Sequence, residues 1–165
     1  MRNFKIFLWI FIVFLIQTVI VARIHVFGAV PSLVLAYVMC VMVLENEFRN
    51  AVTISIICAA AMGALSGRDF PLTVLFYSYT SIMVFALRKK PAYIGNFPKA
   101  IISTFILSGL FEVIMYVLRT MSIDMSVLTH NALPTAVFNV IFVMIIYPIL
   151  KKTMYKEEKK KLLIS

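Results

Sequence analysis

The chain has 165 residues, of which 62% are hydrophobic and only 14% charged, with a net charge of +9. A soluble domain carries roughly 25% charged residues, and here the shortfall is concentrated in long apolar runs, which excludes an ordinary soluble core. The basic residues fall between those runs and at the C-terminus, not in a stripe along one surface, which excludes nucleic-acid binding and points to membrane topology.

A hydrocarbon layer about 30 Å thick is crossed by ~20 apolar residues of helix, and six such runs with short connections use nearly the whole chain. The first covers residues 4–22 and is interrupted only by Gln17. Arg2 and Lys5 resemble the basic start of a signal peptide, but no A-x-A-like cleavage site follows, so the run reads as a retained first helix. Arg23 and His25 mark a short loop. The second run covers 26–44 and contains Pro31, whose missing N–H is tolerated in a first helical turn; Pro31 is expected to open the regular helix, with residues 26–30 as a lead-in. Glu45 to Asn50 make a polar turn. The third run, 51–66, is short and rich in small residues, with Ala59 and Gly63 spaced so that a neighbouring helix can approach closely. Arg68 and Asp69 form the next turn. The fourth run, 71–87, ends at Arg88, Lys89 and Lys90. The fifth, 100–118, ends at Arg119, and the loop 120–132 carries Asp124 and His130. The sixth, 134–150, opens at Pro134 and contains Asn139, Tyr147 and Pro148, and a basic tail, 151–165, follows.

Continuous apolar runs exclude the alternating pattern of a transmembrane β-barrel, so the expected fold is an all-α integral membrane protein, a bundle of about six helices. With the N-terminus inside, 13 of the 16 Lys and Arg residues fall on the inner side, which places both termini in the cytoplasm by the positive-inside rule.

Chemistry-bearing residues are few. Glu112 is the one acid well inside a span, seven residues and thus ~10 Å before Arg119; an intramembrane carboxylate is a functional candidate by default, weighed against a structural or partner-contact role. Asn139 lies within a turn of the same depth, so a Glu112–Asn139 contact across two helices is expected as packing glue. Cys40 and Cys58 sit inside apolar runs without CxxC or Cys/His spacing and read as small core residues. No nucleotide-binding or hydrolase signature is present, and neither a catalytic set, a cofactor nor a metal site is expected.

The order of features, with Pro31 at the second helix, the turn "GALSGRDFPLTVLFYSY" and the ending "LPTAVFNVIFVMIIYPILKK", resembles the rod shape-determining protein MreD family. The sharpest part is the last helix, with Leu133-Pro134, Asn139, Tyr147 and Pro148 in the family's order. Where members often have Pro-Asp, this chain has Pro31-Ser32, and the acid of the third turn comes late, at Asp69. The resemblance implies a non-enzymatic scaffold in the cytoplasmic membrane of a bacterium. It implies association with an MreC-like single-span protein and, through it, with the SEDS glycosyltransferase and class B penicillin-binding protein of peptidoglycan synthesis. A second family similar in size and span count comprises the substrate-binding subunits of energy-coupling-factor vitamin transporters. The first helix, "FKIFLWIFIVFLIQTVIVA", lacks the small-residue spacing usual there, whereas Tyr77, Tyr79, Glu112 and Asn139 are compatible with a site near the outer face. A small proton-coupled carrier would rest on Glu112 alone.

Overall fold

The computed structural model describes residues 2–23, 31–66, 70–88, 95–121, 126 and 128–154. Among these there is no strand. Six α-helices follow in chain order: α1 Arg2–Val19, α2 Leu33–Leu44, α3 Phe48–Ser66, α4 Phe70–Arg88, α5 Asn96–Thr120 and α6 Leu133–Met154. A 3₁₀ turn at Val21–Arg23 follows α1, and a π-helical turn at Leu128–Ala132 leads into α6. Four helices are long and apolar enough to cross a membrane: α3, α4, α5 and α6 with its π turn. This is the architecture of an all-α membrane protein. α1 and α2 contribute shorter apolar segments, Lys5–Val19 and Leu33–Leu44.

The bundle is organised around α2. All twelve of its residues are buried, and it touches each of the other five helices. A helix that is apolar on every side has no face to give to water, and this one gives none to lipid either. The ring helices have the complementary character. They bury one side against α2 and turn Phe7, Leu75, Ile102 and Ile145 outward, each at least half exposed. In water such a surface would be a liability, whereas against hydrocarbon it is at no disadvantage.

Several boundaries differ from those read along the sequence. The short element is the second, not the third. α2 begins only at Leu33, with Pro31 two residues before the helix instead of in its first turn, because Ser32 takes the N-cap and its hydroxyl accepts from the Leu35 N–H. The lead-in at 26–30 lies outside the described residues, as do Lys89, Lys90, Asp69, Asp124 and the tail beyond Met154. α3 gains a turn over the expected 51–66 because Phe48, Arg49 and Asn50 are helical, the Ala51 N–H donating to the Glu47 carbonyl at 3.1 Å. A first turn tolerates polar side chains, since its N–H groups have no helical partner anyway. α5 extends at both ends of the expected 100–118, and the loop expected at 120–132 is partly taken up by the π-helical turn that carries His130.

α3 and α4 share the most extensive contact in the bundle. Gly63 permits it: a Cβ there would stand 2.8 Å from the Phe70 ring, 3.2 Å from its carbonyl oxygen and 3.3 Å from its Cα. Ala59, one turn earlier on the same face, is fully buried. Ala60 and Ala64, the other small pair of this helix, are half-buried and exposed. The seam is also polar. The Ser55 hydroxyl of α3 meets the Ser81 hydroxyl of α4, and both reach the Tyr77 carbonyl, at 3.3 and 2.5 Å.

Candidate functional site

Buried polar side chains from separate helices converge at one place, the N-terminus of α2. The first amides of any helix lack intrahelical acceptors, and here they lie inside the protein. Ser32 N–H donates to Asn139 Oδ1 of α6 at 2.7 Å. Leu33 N–H donates to Gln17 Oε1 of α1, also at 2.7 Å. Leu35 N–H donates to the Ser32 hydroxyl at 3.2 Å, and that hydroxyl is bonded in turn to the Tyr77 phenol of α4 at 3.2 Å. Gln17 uses its other end as well, Nε2 donating to the Pro31 carbonyl at 3.3 Å. A helix that starts in the interior is thus capped by three of its neighbours.

The geometry explains why the chain can afford such a start. Irregular backbone at membrane depth is tolerated only where protein or a cavity satisfies it. Twelve residues give α2 a length of ~18 Å, well short of the ~30 Å layer. Tyr77 lies seven residues into α4 and Asn139 six into α6, so the capped end sits ~10 Å inside the ends of those helices. The positive end of the α2 dipole faces neutral oxygens from Gln17, Ser32, Tyr77 and Asn139, and no anion is required to complete it.

The cluster is not fully satisfied. Among the described residues, Asn139 Nδ2 is buried without a hydrogen-bond partner, and so is Thr135 Oγ1 one turn earlier on the same face of α6. Such groups are rare in folded proteins.

Glu112 sits beside this cluster without entering it. It is half-buried, and its carboxyl is near enough to Tyr77 and Arg119 for electrostatic interaction with both. The expected Glu112–Asn139 contact is not formed: the Asn139 carbonyl oxygen is committed to the Ser32 amide and its amino group bonds nothing described. The Phe111 ring, next to Glu112, packs edge-on to Tyr77 with centroids 6.5 Å apart.

The remaining candidates divide between the cluster and the packing. Pro31 is buried and belongs to the cluster through its carbonyl. Ala59 and Gly63 belong to the α3–α4 seam. Pro134 is the second residue of α6 and half-buried; Tyr147 is buried near the opposite end, its ring 5.1 Å from that of Phe97 on α5. Pro148 is exposed inside α6, where it removes the N–H that would serve the Met144 carbonyl. Tyr79 is 70% exposed and does not converge with Tyr77. Cys40 and Cys58 are buried and unbridged, and among the described residues no three His, Cys, Asp or Glu side chains are grouped to hold a metal.

Sequence reading missed the polar side chains at the two ends of α2. Gln17 and Ser32 cap α2. Glu45, at the other end of α2, is almost completely buried and its carboxylate accepts from the Asn46 and Glu47 N–H groups. The signals were present. Gln17 is the one side-chain amide of the first run, and Ser32 is a serine directly before an apolar helix, an N-cap signature.

No family model, curated protein or solved structure matches the chain.

Proposed function

We propose that this protein is a non-enzymatic membrane scaffold of the bacterial elongation machinery, of the MreD type. In this reading six segments cross the cytoplasmic membrane with both termini inside, α2 being the short helical part of the second, and the chain joins an MreC-like single-span protein to the SEDS glycosyltransferase and class B penicillin-binding protein. One observation carries it. Asn139, in the stretch of α6 on which the family resemblance is sharpest, works as an architectural residue, tying α6 to the start of α2. Tyr147, from the same stretch, packs α6 on α5. Polar side chains committed to holding helices together suit an adaptor whose partners meet the outer faces of the ring helices. The inside placement of both termini rests on the distribution of Lys and Arg.

The test is depletion in a rod-shaped host. Cells should round up, and the tagged protein should co-purify with an MreC-like partner. A cysteine introduced at Ser165 should react with a membrane-impermeant maleimide only after the inner face is opened. Normal cell shape on depletion together with tight vitamin binding by the purified protein would sink the proposal.

A second reading, the substrate-binding subunit of a vitamin transporter, is favoured by one specific feature: the unpartnered Asn139 Nδ2 and Thr135 Oγ1, one turn apart on one buried face. A small polar guest bonding both would account for them. Calorimetry with water-soluble vitamins separates the two readings, since a scaffold binds none tightly.

A further inference from the structure

Two side-chain atoms of α6, Asn139 Nδ2 and Thr135 Oγ1, lack a hydrogen-bond partner among the described residues. Their residues are 0% and 2% exposed. Each is orphaned for a definite reason. The Ser32 N–H at 2.7 Å requires an acceptor, so the Asn139 amide cannot turn over, and its amino group is fixed on the other side. Thr135 lacks the bond that a helical threonine commonly makes to its own backbone. Thr18, Thr53, Thr104, Thr120 and Thr153 all donate to the carbonyl four residues earlier, at 2.7–3.0 Å. For Thr135 that carbonyl belongs to Asn131, inside the π-helical turn Leu128–Ala132, where the wider coil takes it out of α-helical register.

The two residues are four apart, which puts their Cβ atoms about 5–6 Å from each other on one face of the helix. One oxygen atom between the two side chains can bond both. In the adjoining α2 cap the polar groups are already committed. The Ser32 amide is bonded to Asn139, the Ser32 hydroxyl to Tyr77 and Leu35, and both ends of Gln17 to backbone groups. What remains is one amino donor and one hydroxyl. A metabolite-sized ligand is held by several placed polar groups in a pocket of about 300–1,000 Å³, whereas a buried water is held by about two to four. The residual chemistry matches a single water.

We propose that Thr135 and Asn139 form a binding site for one structural water, which accepts from Asn139 Nδ2 and donates to Thr135 Oγ1. The water completes the α2 cap. With Nδ2 anchored, Oδ1 is held on the Ser32 amide. Thr135 is thereby a positioning residue, acting on the start of α2 through the water and Asn139. A water at this place accounts for both orphaned atoms without a vitamin, and it serves the bundle whatever partners the protein has.

The experiment uses the full chain, isotopically labelled at asparagine and reconstituted in lipid bilayers. Proton-detected solid-state NMR identifies the Asn139 side-chain amide by its proximity to the Ser32 N–H and reads magnetisation transfer to it from water. Transfer should be present in the wild type and in Thr135→Ser, and lost in Thr135→Val. In mixed micelles of rising SDS content, Thr135→Val should shift the unfolding equilibrium about threefold to tenfold towards the unfolded chain, the loss of one hydrogen bond. Thr135→Ser should shift it less. A hydroxyl that binds nothing predicts the opposite sign, because valine removes an uncompensated buried polar group. Riboflavin, thiamine and biotin should leave the Asn139 signal unmoved. Absence of transfer in the wild type, its persistence in Thr135→Val, a gain of stability in that variant, or a saturable shift of the Asn139 signal with one of the vitamins would each overturn the proposal. None of these readouts depends on cell shape, so the water site and the scaffold reading fail separately.

Discussion

Gln17→Leu is the most informative single change in this protein. The substitution keeps the side-chain volume and makes α1 more apolar, so hydropathy alone predicts a better membrane helix. The structure predicts the opposite. Gln17 is 4% exposed and holds two backbone groups of another segment, the Leu33 N–H at 2.7 Å and the Pro31 carbonyl at 3.3 Å. Leucine strands both in a region without water. Side-chain hydrogen bonds between membrane helices average ~0.6 kcal/mol and reach ~1.7 kcal/mol, so losing two costs about 1–3 kcal/mol. Thr18→Val is the control: the neighbouring hydroxyl bonds only carbonyls of its own helix, Phe14 and Leu15, and its removal should change stability by less than about 0.5 kcal/mol. Unfolding of the full chain in mixed micelles of rising SDS content, followed by circular dichroism, measures both. Gln17 and Asn139 accept from adjacent amides, so a double-mutant cycle of Gln17→Leu with Asn139→Leu should show coupling of at least ~0.5 kcal/mol. A Gln17→Leu protein as stable as Thr18→Val, with no coupling to Asn139→Leu, would refute the picture of an internally capped α2.

Further outcomes follow from other sites. Gly63→Ala brings a Cβ to 2.8 Å from the Phe70 ring and 3.2 Å from its carbonyl oxygen, so α3 and α4 must part, at a cost of ~1–3 kcal/mol. Gly109→Ala meets nothing within 4 Å and should be neutral or slightly stabilising; the same SDS titration distinguishes them. Tyr77→Phe removes the bond to the Ser32 hydroxyl and should cost ~0.5–1.5 kcal/mol. Glu112→Gln should leave stability within ~1 kcal/mol and, in the scaffold reading, leave cell shape intact; a stable, normally expressed variant that fails to support rods would assign Glu112 a functional role. Cys40 and Cys58, at most 2% exposed, should resist maleimide in the folded protein and react only in denaturing SDS.

The sequence and the structure agree most closely where a single physical constraint decides the matter. A run of ~20 apolar residues has few options in a bilayer, and α4 begins and ends within a residue of the expected run. Agreement is weaker for α2, where propensity gave way to tertiary structure. The apolar pattern continues back to Val26, but the Ser32 amide is engaged by Asn139, and the regular helix starts after it. Nor could composition single out α2 as the centre. Every run here is largely apolar, so the inward faces around α2 are marked by scattered polar residues such as Gln17, Tyr77 and Asn139, whose partners lie far away in the chain. Depth counting matched Asn139 with Glu112 because both lie at one level; it had no access to rotation about the helix axes, which turned Asn139 to Ser32. Gly63 and Ala59 were legible because small residues one turn apart have one dominant use between helices.

In a bilayer, apolar side chains gain nothing by leaving lipid for protein, and helix association falls to close packing and hydrogen bonds. That shifts the burden in this molecule onto a short list of residues. α2 is too short to deliver both ends to the membrane surfaces, and its exposed end groups would be intolerable in hydrocarbon. It is stable only when enclosed, with Gln17, Tyr77 and Asn139 at one end and Glu45 at the other. Three of the five surrounding helices are thereby held to a common centre by groups that face inward. Any partner must use the outward faces, and the two sets of residues are separable by experiment. Substitutions in the α2 cap should weaken partner binding only in proportion to lost stability. Substitutions at outward positions such as Leu75 or Ile145 should weaken partner binding with stability unchanged. A cap variant of normal stability that loses its partner would mean that the centre of the bundle, and not its rim, is what the partner reads.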